Sequence, residues 1–206
     1  MAEKAGVSRK TLYLVALGLV AVLWVVGVLL SQPTGSAFLA LARGLALLGY
    51  LGVFLATLST AYLRELVKAF GRPFIKIHHV ASVTGIVAIT LHPLAVAVEY
   101  GSQVLVPSLG SPSYMLAWAG RPAWVLLIIG VVVALLRTRL VKSWRIIHYV
   151  NYIAFLLGTV HANLLGGNFV SAIPRILSII MALVVIAVFV RKRVQAAKRP
   201  QKASRK

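Results

Sequence analysis

The sequence predicts an all-α membrane protein, a bundle of six transmembrane helices, and three observations carry that reading. First, 60% of the 206 residues are hydrophobic and the mean hydropathy is +0.93, where a soluble domain is usually no more than about half apolar. Second, the apolar residues fall into six runs, each near or above the roughly 20 residues a helix needs to cross the hydrocarbon core. They are apolar on every face and lack period-2 alternation, which argues against a membrane β-barrel. Third, 22 Lys and Arg stand against three acidic residues, for a net charge of +19. These cations lie between and beyond the apolar runs rather than over one face. That pattern points to membrane topology and lipid contact, not to a nucleic-acid partner.

The elements follow in order. A basic N-terminus, residues 1–10, precedes the first run at 11–31, which is too long for the 7–15-residue core of a signal peptide and reads as a membrane helix. The second to sixth runs lie at 36–62, 74–98, 115–136, 146–166 and 172–190. Turn chemistry separates them: Ser31-Gln32-Pro33-Thr34-Gly35, Gly71-Arg72-Pro73, the stretch from Pro107 to Pro112, and Gly166-Gly167-Asn168. Residues 11–190 form one transmembrane domain. The basic tail at 191–206 reads as an orientation and lipid-surface signal. All Lys and Arg except Arg43, Arg121 and Arg175 fall on one side of this topology. By the positive-inside rule both termini are cytoplasmic, in a multi-pass protein of the cell membrane.

Five histidines occupy two of the runs: His78, His79 and His92 in the third, His148 and His161 in the fifth. Both runs cross from the cytoplasmic to the outer side. Separations of 14 and 13 residues correspond to roughly 20 Å along each axis. Two parallel helices therefore each carry one imidazole near the inner face and one in the outer half, at matched depth. Ionisable groups inside membrane helices are rare and tend to be functional. Depth-matched imidazole pairs suit bis-histidine ligation of two b-type haems between helices 3 and 5. The expected ligands are His78, His92, His148 and His161, with His79 as the alternative to His78. Haem b is held by axial ligands and packing, so the absence of Cys, which excludes disulfides and thiolate ligation, is no obstacle. At 100° per residue, 14 residues return close to one face while 13 land roughly 140° away. Either the fifth helix turns locally or the haems sit at different angles, and Pro93 and Gly158 are the candidates to allow adjustment.

The run WRIIHYVNYIAFLLGTVHANLL (residues 144–165) resembles the signature helix of the ferric-reductase-like transmembrane domain, and RGLALLGYLGVFLATLSTAYLR (residues 43–64) resembles the helix before the first histidine helix in its methionine-sulfoxide reductase branch. The resemblance spans about residues 38–190. It implies six helices, two b haems and electrons moving outward across the membrane. Ferric reductases and NADPH oxidases continue into a flavin and nicotinamide domain. Only 16 residues follow Val190 here, and no dinucleotide fingerprint is present, so neither a flavin nor a nicotinamide site is expected. The reductant would come from a separate flavoprotein or from membrane quinol, and the acceptor would be a ferric chelate, oxygen or a partner reductase on the outer side.

Haem propionates favour cations at the interface. Arg72, Lys76 and Arg145 are the inner candidates; Arg43, Arg121 and Arg175 are the outer ones. Tyr152 and Phe155 are expected between the two haem levels. Two other readings stand beside this oxidoreductase subunit. One is a dihaem cytochrome b anchor of a quinol-linked respiratory complex, with a quinone as further cofactor. The other is a haem-free transporter with a histidine proton relay.

Overall fold

The computed structural model of the chain describes residues 18, 21, 24, 25, 35–62, 66–68, 74–106, 118–140 and 143–197. Among them every regular element is helical. The first long helix, α1, spans Ala37–Ala61. Its N-cap Ser36 accepts from the Leu39 N–H at 3.1 Å and donates to Glu99 at 2.8 Å, so one side chain caps α1 and ties it to the far end of the next helix. That helix, α2, spans Phe74–Tyr100 with Pro93 inside it. It stops at Gly101, whose φ of +86° suits glycine, and a 3₁₀ turn follows at Ser102–Leu105. Helix α3 is Gly120–Leu135, with Pro122 in its first turn, where a missing N–H costs nothing. The short α4 (Arg137–Leu140) and α5 (Trp144–His148) lead into α6 (Val150–Leu165). Helix α7 runs over Ala172–Ala197.

Among the described residues, three helices are long and apolar enough to cross a membrane: Ala37–Ala61, His78–Tyr100 and Ala172–Ala197. The expected runs at 36–62, 74–98 and 172–190 thus form helices close to their expected bounds, the last continuing seven residues into the basic tail. The run at 115–136 is helical from Gly120, after a turn at Trp118 and Ala119, and gives a shorter apolar helix. The run at 146–166 is divided at Tyr149. The run at 11–31 lies outside the described residues apart from Gly18, Ala21, Trp24 and Val25, which are helical.

Packing leaves apolar residues on the outside as well as in the core. On α2, Val80, Val83, Val87, Leu91, Leu94 and Val98 recur at helical spacing and are exposed, a stripe suited to lipid chains. The buried core among the described residues is apolar and aromatic as well, with Leu47, Tyr50, Phe54, Phe155 and Met181, and a few polar residues such as Ser59, Thr159 and Ser178 lie within it. Helices α1 and α2 lie antiparallel and make the most extensive interface. A Cβ added at Gly52 would lie 2.7 Å from the Gly85 Cα, so the two backbones touch, as small residues permit between membrane helices. Helix α3 pairs with α5 and α6 on the other side, and α7 packs on α6 and α1. A buried polar seam joins the last three: Tyr50 Oη and Thr159 Oγ1 are 2.7 Å apart, and Asn163 Nδ2 donates to Ser178 Oγ at 2.8 Å. An aromatic stack fills the centre. Trp24 lies 5.5 Å from Tyr50, and Tyr50 4.5 Å from Phe155.

Candidate functional site

The histidines belong to two helix pairs built alike. In each pair a leading helix packs against a following segment that carries the imidazoles, three on α2 and two on α5 and α6. In the first pair, His92 Nδ1 donates to the Ala42 carbonyl at 2.9 Å and His78 Nδ1 to the Ala56 carbonyl at 3.0 Å. The acceptors are 14 residues apart on α1, as the imidazoles are on α2, because the helices run antiparallel in register. In the second pair, His148 Nδ1 donates to the Gly130 carbonyl at 3.0 Å. His161 packs on Gly120, where a Cβ would meet its ring at 2.8 Å. Glycine at 120 is what lets that ring lie against α3.

A backbone carbonyl only accepts, so each tethered Nδ1 carries the proton and each Nε2 keeps its lone pair. At His78 the neighbouring hydroxyl does not consume it. Ser82 Oγ donates to the His78 carbonyl at 2.8 Å, and its 3.5 Å approach to Nε2 is too long for a good hydrogen bond. At His148, Asn151 Nδ2 lies 3.4 Å from Nε2. A metal-ligating histidine usually donates its other N–H to a carbonyl or carboxylate, and these three imidazoles donate theirs to carbonyls.

The outer pair meets across a cavity. The ring centroids of His92 and His161 are 6.4 Å apart at an interplanar angle of 63°. An imidazole–metal bond of about 2.0 Å with about 1.1 Å more to each ring centre gives a separation of about 6 Å for two imidazoles on one metal ion. The cavity holds about 640 Å³ and is lined by His92, His161, Arg43, Arg121, Trp118 and Tyr50 among others. That volume is in the range of cofactor and ligand pockets. Gly158 also lines it, and a Cβ there would meet nothing within 4 Å, so this part of α6 opens onto space. Arg121 lies over the Trp118 ring at 3.9 Å and donates to the Val106 carbonyl, while its buried Nε has no partner. At the inner level, His148 and Lys192 are electrostatic neighbours of His78.

Of the two adjacent imidazoles, His78 turns toward α1, and His79 is exposed. Tyr149 lies between α5 and α6, with i→i+3 bonds from its N–H to Ile146 O and from the Tyr152 N–H to its own carbonyl. Such 3₁₀ tightening adds about 20° per residue and turns His161 toward the face of His148. The adjustment occurs there, not at Gly158, through which α6 runs unbroken.

The expected cations divide. Arg43 and Arg121 line the cavity, and the Arg43 guanidinium lies where a Cβ on Gly167 would be. Arg175 donates from Nε to the Phe169 carbonyl at 3.0 Å and is not in the cavity wall. Lys76 and Arg145 are exposed, the latter 5.5 Å from the Trp144 ring. Arg72 lies outside the described residues. Phe155 is in the cavity wall against Tyr50, whereas Tyr152 packs on Phe189, ring centroids 5.1 Å apart. Sequence reasoning missed Tyr50, Gly120 and Lys192. A lone Tyr amid apolar residues was the available signal for the first.

Comparison with protein-family models, curated proteins and solved structures returns no match to this chain.

Proposed function

We propose that this chain carries electrons across a cell membrane through two b-type haems. His92 and His161 are the axial ligands of one, and His78 and His148 of the other. The chain crosses the bilayer six times with both termini cytoplasmic, so the first pair lies toward the outer side. Haem supplies a reversible one-electron couple inside the bilayer. The protein's own residues do the rest. Carbonyls of Ala42, Ala56 and Gly130 fix the imidazoles. Gly120 and Gly158 leave room beside His161, and Arg121 offers an unpaired buried N–H to an anionic group such as a propionate. The lipid-facing stripe of α2 keeps water away from the site.

The observation that carries this reading is the His92–His161 pair, 6.4 Å apart across a cavity with open space at Gly158. A proton relay would need bridging hydrogen bonds, whereas Nδ1 atoms spent on helix carbonyls at His78 and His92 leave their Nε2 atoms suited to a metal. Electrons enter from a separate flavoprotein or quinol and leave to a ferric chelate, oxygen or partner reductase outside.

The test is a dithionite-reduced minus oxidised visible spectrum of the detergent-purified chain, with a pyridine haemochrome count. A sharp b-type α band and two haems per chain are expected. No haem after expression with ample haem supply would overturn the proposal and favour histidine-based proton transport. Quinol oxidation by the purified protein would identify quinol as donor; inertness to quinol with reduction by a flavoprotein would identify the other.

A further inference from the structure

The basic end of the bundle draws one lysine inward. Lys192, on α7, is half-buried, and its Nζ donates to Thr60 Oγ1 at 2.6 Å. Thr60 in turn donates to the Thr57 carbonyl at 2.8 Å, so its hydroxyl proton is already committed. Thr60 lies one turn of α1, about 6 Å, beyond Ala56, whose carbonyl holds His78. Lys192 is also an electrostatic neighbour of His78. The basic residues beside it on the chain point to other groups: Arg191 lies over Tyr62 at 4.6 Å and Arg193 over Tyr149 at 5.8 Å.

An ammonium has three donors, and Thr60 takes one. The chain supplies no counter-charge at this end among the described residues. Their one carboxylate, Glu99, is bonded to Ser36 at the opposite end. A cation drawn into a membrane bundle is costly unless an anion meets it.

We propose that Lys192, positioned by Thr60, is the anion site of the inner histidine level and takes a carboxylate of the cofactor held at His78 and His148. This inference rests on the dihaem reading. The two remaining N–H groups suit the two oxygens of a carboxylate, and the positive charge stabilises the electron-rich form of the centre beside it.

The full chain, expressed with haem supply, is placed in nanodiscs of phosphatidylcholine alone or with phosphatidylglycerol added. Haem per chain and the reductive titration of the α band are measured for the wild type, Lys192→Met, Lys192→Arg and Thr60→Val. Lys192→Met is expected to make one of two centres harder to reduce by about tenfold, which is about 59 mV for a one-electron couple, in both lipids. The other centre stays unchanged. Lys192→Arg restores most of the shift, and Thr60→Val moves the same centre the same way by less. Two haems with both centres unchanged in Lys192→Met would overturn the inference; so would an unchanged Thr60→Val if the methionine variant fails to accumulate. A shift seen only with phosphatidylglycerol would assign the lysine to lipid phosphate and also overturn it. Haem-free wild type would instead overturn the dihaem reading beneath it.

Discussion

Gly52 and Gly85 meet backbone to backbone: a Cβ on Gly85 would lie 2.9 Å from the Val53 nitrogen, and one on Gly52 would lie 2.7 Å from the Gly85 Cα. Neither neighbour is a flexible side-chain tip that could swing away. The contact fixes the spacing of α1 and α2, and with it the reach of His78 and His92 to their carbonyls. Gly85→Ala should therefore cost about 1–3 kcal/mol, the usual range for overpacking, and lower haem content at both levels. Gly44→Ala, on α1 with nothing within 4 Å, should change neither. Thermal melts and haemochrome counts on the two variants check this. Equal behaviour would mean that the helix spacing is not set by the glycines.

Substitution of the histidines should sort them by position. His92→Ala, His161→Ala, His78→Ala and His148→Ala are each expected to leave one haem per chain. His79→Ala should leave two, because His79 is exposed while the His78 ring is the one bonded to α1. A loss on His79→Ala with retention on His78→Ala would reverse the inner assignment.

Gly120 and Gly158 flank the outer cavity for opposite reasons. Gly120→Ala puts a methyl 2.8 Å from the His161 ring and should displace the imidazole, seen as loss or weakening of one b-type centre. Gly158→Ala meets nothing within 4 Å and should be tolerated. Gly158→Phe should leave folding intact but fill the cavity and exclude one haem. The haem count against the melting temperature separates these effects.

The Tyr50–Thr159 hydrogen bond joins α1 to α6 at 2.7 Å within the bundle. Tyr50→Phe and Thr159→Val should each cost about 1 kcal/mol, a typical value for one such bond. The double variant should cost clearly less than the two single costs together, because both delete the same interaction. Resistance to unfolding in mixed micelles would give the cycle. Full additivity would mean that the two groups act independently.

Helix positions were largely legible because a bilayer imposes a length on apolar runs: 36–62 and 74–98 correspond to Ala37–Ala61 and Phe74–Tyr100. The end of α7 was not. Hydropathy falls at Val190, but the backbone stays helical to Ala197, since Arg, Lys, Gln and Ala are all good helix formers. That continuation carries Lys192 to Thr60, a contact that a reading of the basic run as a solvated tail hides. The choice between His78 and His79 was equally closed to sequence reasoning. Adjacent residues point about 100° apart on a helix, and only the location of α1 decides which one is turned inward. The division at Tyr149 was legible as a need, from the 13-residue spacing, but not as a place. Gly158 drew attention because glycine weakens helices, yet its use here is to leave space.

The imidazole tethers end on main-chain oxygens, at Ala42, Ala56 and Gly130. Every amino acid carries that oxygen, so no single codon change at those three positions can delete an acceptor. The orientation of the histidines is thus insulated from mutation in a way that a carboxylate or amide partner would not be. A genetic screen for lost function would not reveal the acceptor atoms themselves, and Gly130 would be recovered for its lack of a side chain, since a Cβ there would overlap Asn151 Oδ1. It would recover the small residues that govern how closely the helices approach, and the inheritance of the site would be written in spacing rather than in polar side chains.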